Sequence, residues 1–101
     1  MRVMVFFDLP SVSSEERRDY RQFHRHLIRS GFMMLQESVY CKLALNATAV
    51  NAIMANLRKN KPPRGCIQTL VVTEKQFARS ELILGEFQSE IINSDERLVI
   101  L

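Results

Sequence analysis

Tryptophan is absent from this chain of 101 residues, and cysteine nearly so. The two cysteines, Cys41 and Cys66, sit inside apolar runs with neither a CxxC pair nor a Cys/His spacing. That pattern points away from a zinc site or a disulfide framework and predicts two buried, reduced thiols. No apolar run approaches the roughly 20 residues needed to cross a bilayer. The start Met1-Arg2 leads into a short apolar run ended by Asp8 and Pro10, unlike a secretory leader. A cytoplasmic protein with no membrane partner is expected. Phosphate-binding loops of the Walker and GxGxxG types are missing, as is an HExxH helix, so nucleotide-driven and metalloprotease chemistry find no support.

What is present is an ordinary folded-domain composition, with 47% hydrophobic and 25% charged residues. A chain of this length makes one domain with its own core. The net charge of +3 hides an uneven distribution. Residues 1–64 hold 11 Lys/Arg against 5 Asp/Glu, whereas residues 65–101 hold 3 against 6. Ten of the fourteen cations are arginine, whose planar fork suits bidentate phosphate contacts. A basic body with an acidic tail suggests a polyanion at one surface and a protein partner at the other.

Residues 2–9, RVMVFFDL, form a nearly continuous apolar run, the pattern of a strand buried on both faces. Pro10 stops it, having no N–H for the ladder. Ser13 and Glu16 are spaced as a capping box for a helix running to about Ser30, with Gly31 as its stop. The inner face of that helix is Tyr20, Phe23, Leu27 and Ile28, flanked by a ridge of Arg17, Arg21, Arg25 and Arg29 at every fourth residue. Strands follow at about 32–36 and 39–45, with Val39, Cys41, Leu43 and Leu45 on one face and Lys42 on the other. Asn46 caps a second helix whose inner face is Val50, Ile53, Met54 and Leu57. Pro62-Pro63 end it. A fourth strand spans 65–73.

Strand, helix, strand, strand, helix, strand is two split βαβ halves, which make an α+β ferredoxin-like sandwich with both helices on one face of an antiparallel sheet. The bare face calls for cover, and homodimer packing supplies it economically. Residues 1–73 form this core. Residues 74–101 form an extension for dimer or partner docking, beginning with a short helix or turn near 74–79 and ending in an extra strand at 97–101.

Asp8, at the carboxyl end of the first strand, is the candidate catalytic and metal-binding residue. One carboxylate makes a poor Mg2+ site. Two copies meeting about a dimer axis would bring two Asp8 carboxylates to one ion, which could activate water against a phosphodiester. The plainer alternative is that Asp8 accepts hydrogen bonds from the Ser13/Ser14 turn and only ends the strand. The arginines are likewise either solvated and paired with Glu15, Glu16 and Asp19 or free to meet phosphates, and Arg25 and Arg29 lie beyond those acids' reach. His24 and His26 read as surface or interface residues, and Met33 and Met34 as core or interface filler. The last core strand, CIQTLVVT, lacks the aromatics with which RNA-recognition motifs stack bases.

The start VMVFFDLP, the helix segment ERRDYR with Phe23, the stretch from Gly31-Phe32 to QESVY at 36–40, and the end SDERLVIL together resemble the CRISPR-associated Cas-two family. The resemblance implies a ferredoxin-like homodimer with endonuclease activity that depends on Mg2+ or another divalent cation and is centred on Asp8. It further implies a bridging role beside the CRISPR integrase subunit in spacer acquisition, with double-stranded DNA, and RNA as a further substrate class, among its partners. Arg17, Arg18, Arg21, Arg25 and Arg29 then become candidate phosphate contacts. Two rivals remain open: a stand-alone, toxin-type endoribonuclease on the same fold, and a non-enzymatic ferredoxin-like regulatory module.

Overall fold

A computed structural model describes residues 1–86. The strand expected at 97–101 lies outside them. The elements are β1 (Arg2–Asp8), α1 (Ser14–Arg29), β2 (Met33–Gln36), β3 (Val39–Leu43), α2 (Ala47–Lys59), β4 (Cys66–Val72) and α3 (Glu74–Ala78). One antiparallel sheet has the order β2-β3-β1-β4, so the protein is α+β with a ferredoxin-like arrangement.

The helix boundaries follow the capping chemistry. Ser13 Oγ accepts from the Glu16 backbone N–H, and Glu16 Oε1 accepts from the Ser13 N–H, which closes a capping box at α1. Ser30 ends the helix and Gly31 adopts φ 91°, a conformation that glycine reaches without Cβ strain. Lys42 Nζ donates to the Ser30 carbonyl, placing a cation at the negative end of the helix. Asn46 caps α2 through the Ala49 N–H. Thr73 and Gln76 repeat the capping box at α3.

Both long helices pack on one face of the sheet. Val3, Val5 and Phe7 of β1 point into that layer and meet Phe23 and Leu27 of α1 and Val50 and Leu57 of α2, all buried. Phe7 holds the aromatic centre, edge-on to Phe23 at 5.3 Å and Tyr20 at 6.0 Å and stacked on Tyr40 at 5.6 Å. Such pairs contribute about 0.5–1.5 kcal/mol each beyond area burial.

The opposite face departs from expectation. β1 is fully buried on its helix side only; Arg2, Met4 and Phe6 are half-buried and Asp8 is exposed, because no long helix lies over them. Leu43 is 59% exposed and Leu70 is 54% exposed on this open face for the same reason. β3 stops at Leu43, and Leu45 lies beyond the ladder, exposed. Cys41 is buried as expected, but Cys66 is exposed, since it starts an edge strand on the uncovered side. His24 is no free surface residue. Its Nδ1 lies 2.6 Å from the Tyr40 hydroxyl, which also reaches Met34 Sδ at 3.3 Å.

Gly65 leads into β4 with φ 106°, where a Cβ would stand 2.5 Å from Leu9 Cδ2 and 3.0 Å from the Asp8 carbonyl oxygen. Conformation and space both demand glycine. Gly65→Ala is therefore expected to lower stability by about 2 kcal/mol in urea unfolding. A drop below about 0.5 kcal/mol, the ordinary surface range, would contradict this account of the turn.

Candidate functional site

Alternation along β1 sends Val3, Val5 and Phe7 to the helices and Arg2, Met4, Phe6 and Asp8 to the open face. Asp8 pairs across the sheet with Cys66 and sits at the end of that face. Its carboxylate makes no hydrogen bond or ion pair among the described residues. The Ser13/Ser14 turn, the alternative partner for it, makes no hydrogen bond to it in the described structure, and Ser13 Oγ accepts from the Glu16 N–H at the start of α1. Asp8 thus presents an exposed, uncommitted carboxylate beside half-exposed apolar side chains. Among the described residues no three His, Cys, Asp or Glu side chains gather as a metal-binding group. Among the described residues Asp8 therefore stands as a single carboxylate, and an octahedral Mg2+ site there would need further oxygens.

The five candidate arginines separate into two groups. Arg17 Nη1 donates to the Val12 carbonyl at the helix entrance. Arg18 lies 3.7 Å from Glu15 and 4.0 Å from Asp19. Arg21, Arg25 and Arg29 are exposed and make no ion pair among the described residues. The acids at the start of α1 are also taken by Arg64, which reaches Glu15 at 3.3 Å and Glu16 at 3.9 Å from the loop before β4. Sequence reading missed Arg64, because a partner 49 residues away leaves no local spacing. Bonds from the Ser13 and Val12 backbone N–H groups, with help from Arg64, hold the Glu16 carboxyl below its ordinary range. Tyr20 is pushed up, first by burial and then by the nearby Glu37 charge.

A second cluster was also illegible. Arg2 grips Glu74 through Nε at 3.1 Å and Nη2 at 2.7 Å, and its guanidinium lies 4.1 Å from the Phe77 ring centroid. Its Nη1 also donates to Cys41 Sγ at 3.4 Å. This bidentate pair and cation–π contact fasten α3 to the end of β1 remote from Asp8.

The sequence matches the family described as CRISPR associated protein Cas2 over residues 1–80. The chain belongs to the CRISPR-associated Cas2 family. The CRISPR-associated endoribonuclease Cas2 of Treponema denticola is 54% identical over 101 residues, covering 100% of both chains. The protein of the same name from Streptococcus mutans UA159 is 50% identical over 101 residues, covering 100% of this chain and 93% of its own. That of Ligilactobacillus salivarius is 41% identical with full coverage of both. Cas2 membership thus rests on the whole chain, in keeping with a resemblance carried by segments from its first strand to its last residues. No helix among the described residues is long and apolar enough to cross a membrane.

The Arg2–Glu74 tie has a pH signature. The Arg2 hydrogen bond holds the Glu74 carboxyl below its ordinary value of 4.5. A lowered carboxylate pKa adds stability above the ordinary range, and that stability is lost as pH falls through the lowered value. Glu74→Gln should lower the melting temperature at pH 7 and make no difference near pH 2, below the carboxylate range. Equal decreases at both pH values would exclude the ion pair as the cause.

Proposed function

We propose that this Cas2 protein is a homodimeric duplex-DNA platform that acts beside the CRISPR integrase in spacer acquisition. The observation that supports this most is the exposure of Arg21, Arg25 and Arg29 without ion pairs among the described residues, while Arg18 and Arg64 are neutralised by acids. At a rise of 1.5 Å per residue the three span about 12 Å of α1, the axial length of roughly three or four phosphates on one strand. Cations on a helix surface position a duplex without reading its bases. The open face of the sheet, with Met4, Phe6, Leu43 and Leu70, is the surface for the second copy. The extension carries the contact with the integrase.

A second reading follows from Asp8. Relatives named endoribonuclease support a nuclease capacity in this chain, with RNA as a substrate class. Two copies joined by their open faces would bring two Asp8 carboxylates to the same interface, where a divalent cation, Mg2+ first, finds two hard oxygen ligands. The ion would supply Lewis-acid polarisation of a phosphodiester. The protein's own part is to keep both carboxylates uncommitted and fixed in direction. Phe7, anchored beneath, does this by holding β1 in register. Like charges at short range repel without the ion, so activity should need metal and dimer together.

Duplex binding by the purified protein, with and without the integrase and across a salt series, tests the first reading. Arg21→Gln, Arg25→Gln and Arg29→Gln combined should flatten the log–log salt slope by about 2.7, or 0.9 for each phosphate no longer neutralised. Arg18→Gln should change it by less than about 0.9, the value of one phosphate. A combined variant with an unchanged slope would remove the helix from the interface. Asp8→Ala should abolish metal-dependent RNA cleavage while leaving duplex binding and integration intact. Failure of integration in an Asp8→Ala protein that still dimerises and binds the integrase would show that the platform needs the carboxylate.

A further inference from the structure

A groove separate from the Asp8 carboxylate and the α1 arginines lies between the C-terminal half of α2, the loop at 61–65 and β4. Its floor is aliphatic, from Met54, Leu57 and Ile67, and Thr69 adds a hydroxyl. Its rim is cationic, from Arg58, Lys61 and Arg64, and no acid among the described residues lines it. Arg64 is occupied by Glu15 and Glu16. Arg58 and Lys61 are exposed and make no ion pair among the described residues. Lys61 Nζ makes one long contact, 3.4 Å, to the Arg58 carbonyl oxygen.

We infer that this groove binds one unpaired nucleotide of a single-stranded nucleic-acid end, with its base on the aliphatic floor and its phosphate between Arg58 and Lys61. The charge pattern carries the choice of occupant. Two cations without ion pairs among the described residues, over an apolar floor, complement a ligand that joins an anion to a flat, weakly polar ring. A nucleotide does both. The Met54 thioether is a favourable neighbour for an aromatic ring edge, and such contacts tolerate any base. The absence of aromatic side chains from the floor makes the contact weaker than a stacking platform, where each base contributes about 1–3 kcal/mol. The groove would therefore hold an end that the helix arginines have already brought near. In that sense it deepens the duplex-platform reading and rests on it for affinity, though not for the identity of its ligand.

The probe is a 5′-phosphorylated tetrathymidylate titrated into the full-length protein, followed by backbone amide chemical shifts. Shifts at Lys61, Ile67 and Thr69 are expected. Arg58→Gln with Lys61→Gln should weaken the complex by more than about tenfold, in line with the removal of charged hydrogen bonds, and flatten the salt slope by about 0.7, the value of the one phosphate held between them. The combined Arg21, Arg25 and Arg29 variant should keep the groove shifts at saturating oligonucleotide while its blunt-duplex binding weakens. Shifts confined to α1, or equal affinity in the Arg58 and Lys61 variant, would overturn the groove while leaving the duplex platform standing. Groove shifts in the unsubstituted protein together with no duplex affinity would overturn the platform and keep the groove. Displacement of the oligonucleotide by a peptide of residues 87–101, acidic and apolar in composition, would give the groove to the chain's own extension instead.

Discussion

The packing of both long helices against a single face of the sheet governs everything else in this molecule. Burial of Val3, Val5 and Phe7 beneath Phe23, Leu27, Val50 and Leu57 supplies the core. Each such side chain contributes on the order of 1.5–3 kcal/mol when fully buried. With that face fixed, the two-residue period of β1 leaves no freedom for Asp8, which must point the other way. A slip of one residue would bury the carboxylate and expose Phe7, and the cost of a buried charge forbids it. The uncommitted state of Asp8 is thus a by-product of core packing. Gly65 adds to the constraint by letting the start of β4 approach the Asp8–Leu9 backbone more closely than any side chain would allow.

Charge is arranged by subtraction. The first turn of α1 carries Glu15 and Glu16, which suit the helix dipole, and these same acids neutralise Arg18 nearby and Arg64 from across the chain. Exposed pairs of this kind contribute about 0–1 kcal/mol to stability. Their larger consequence is electrostatic: the basic half of the sequence is divided into cations already matched and cations left over. The remainder is Arg21, Arg25 and Arg29 on α1, with Arg58, Lys59 and Lys61 at the end of α2. Both groups belong to the helix layer, opposite the face that bears Asp8. A polyanion on the helices and a second copy on the sheet would not compete for the same surface.

Much of this was legible in the sequence because it depends on short-range rules. Capping residues Ser13 and Asn46 fix helix starts within a residue, and the apolar spacings of α1 and α2 identify their inner faces. The illegible parts depend on contacts distant in sequence or on which face is covered. The run RVMVFFDL looks equally apolar on both sides, and only the placement of both helices shows that Met4 and Phe6 are half-exposed. Cys66 sits in an apolar context yet opens an edge strand. The local sequence around His24 offers no paired carboxylate, and its contact with the Tyr40 hydroxyl comes from another element. At Asp8 the residue and its strand position were readable, but its lack of a hydrogen-bond partner among the described residues required the geometry of the Ser13 cap.

The placement of α3 ties these surfaces together. Arg2 and Asp8 share the open face at opposite ends of β1, about 20 Å apart at 3.4 Å per residue. Glu74 and Phe77 clasp Arg2, so α3 sits at the end of β1 remote from the carboxylate. Had α3 lain at the Asp8 end, its backbone would have screened the carboxylate. Anchored at Arg2, α3 does not cover Asp8. The bidentate pair and the ring contact also fix the direction in which residue 79 departs, which a flexible tether would not do. A docking segment launched from a fixed point costs less ordering entropy on binding than one that swings freely. Arg2 therefore has two structural roles: it shields Cys41 at the edge of the core and orients the chain that follows α3.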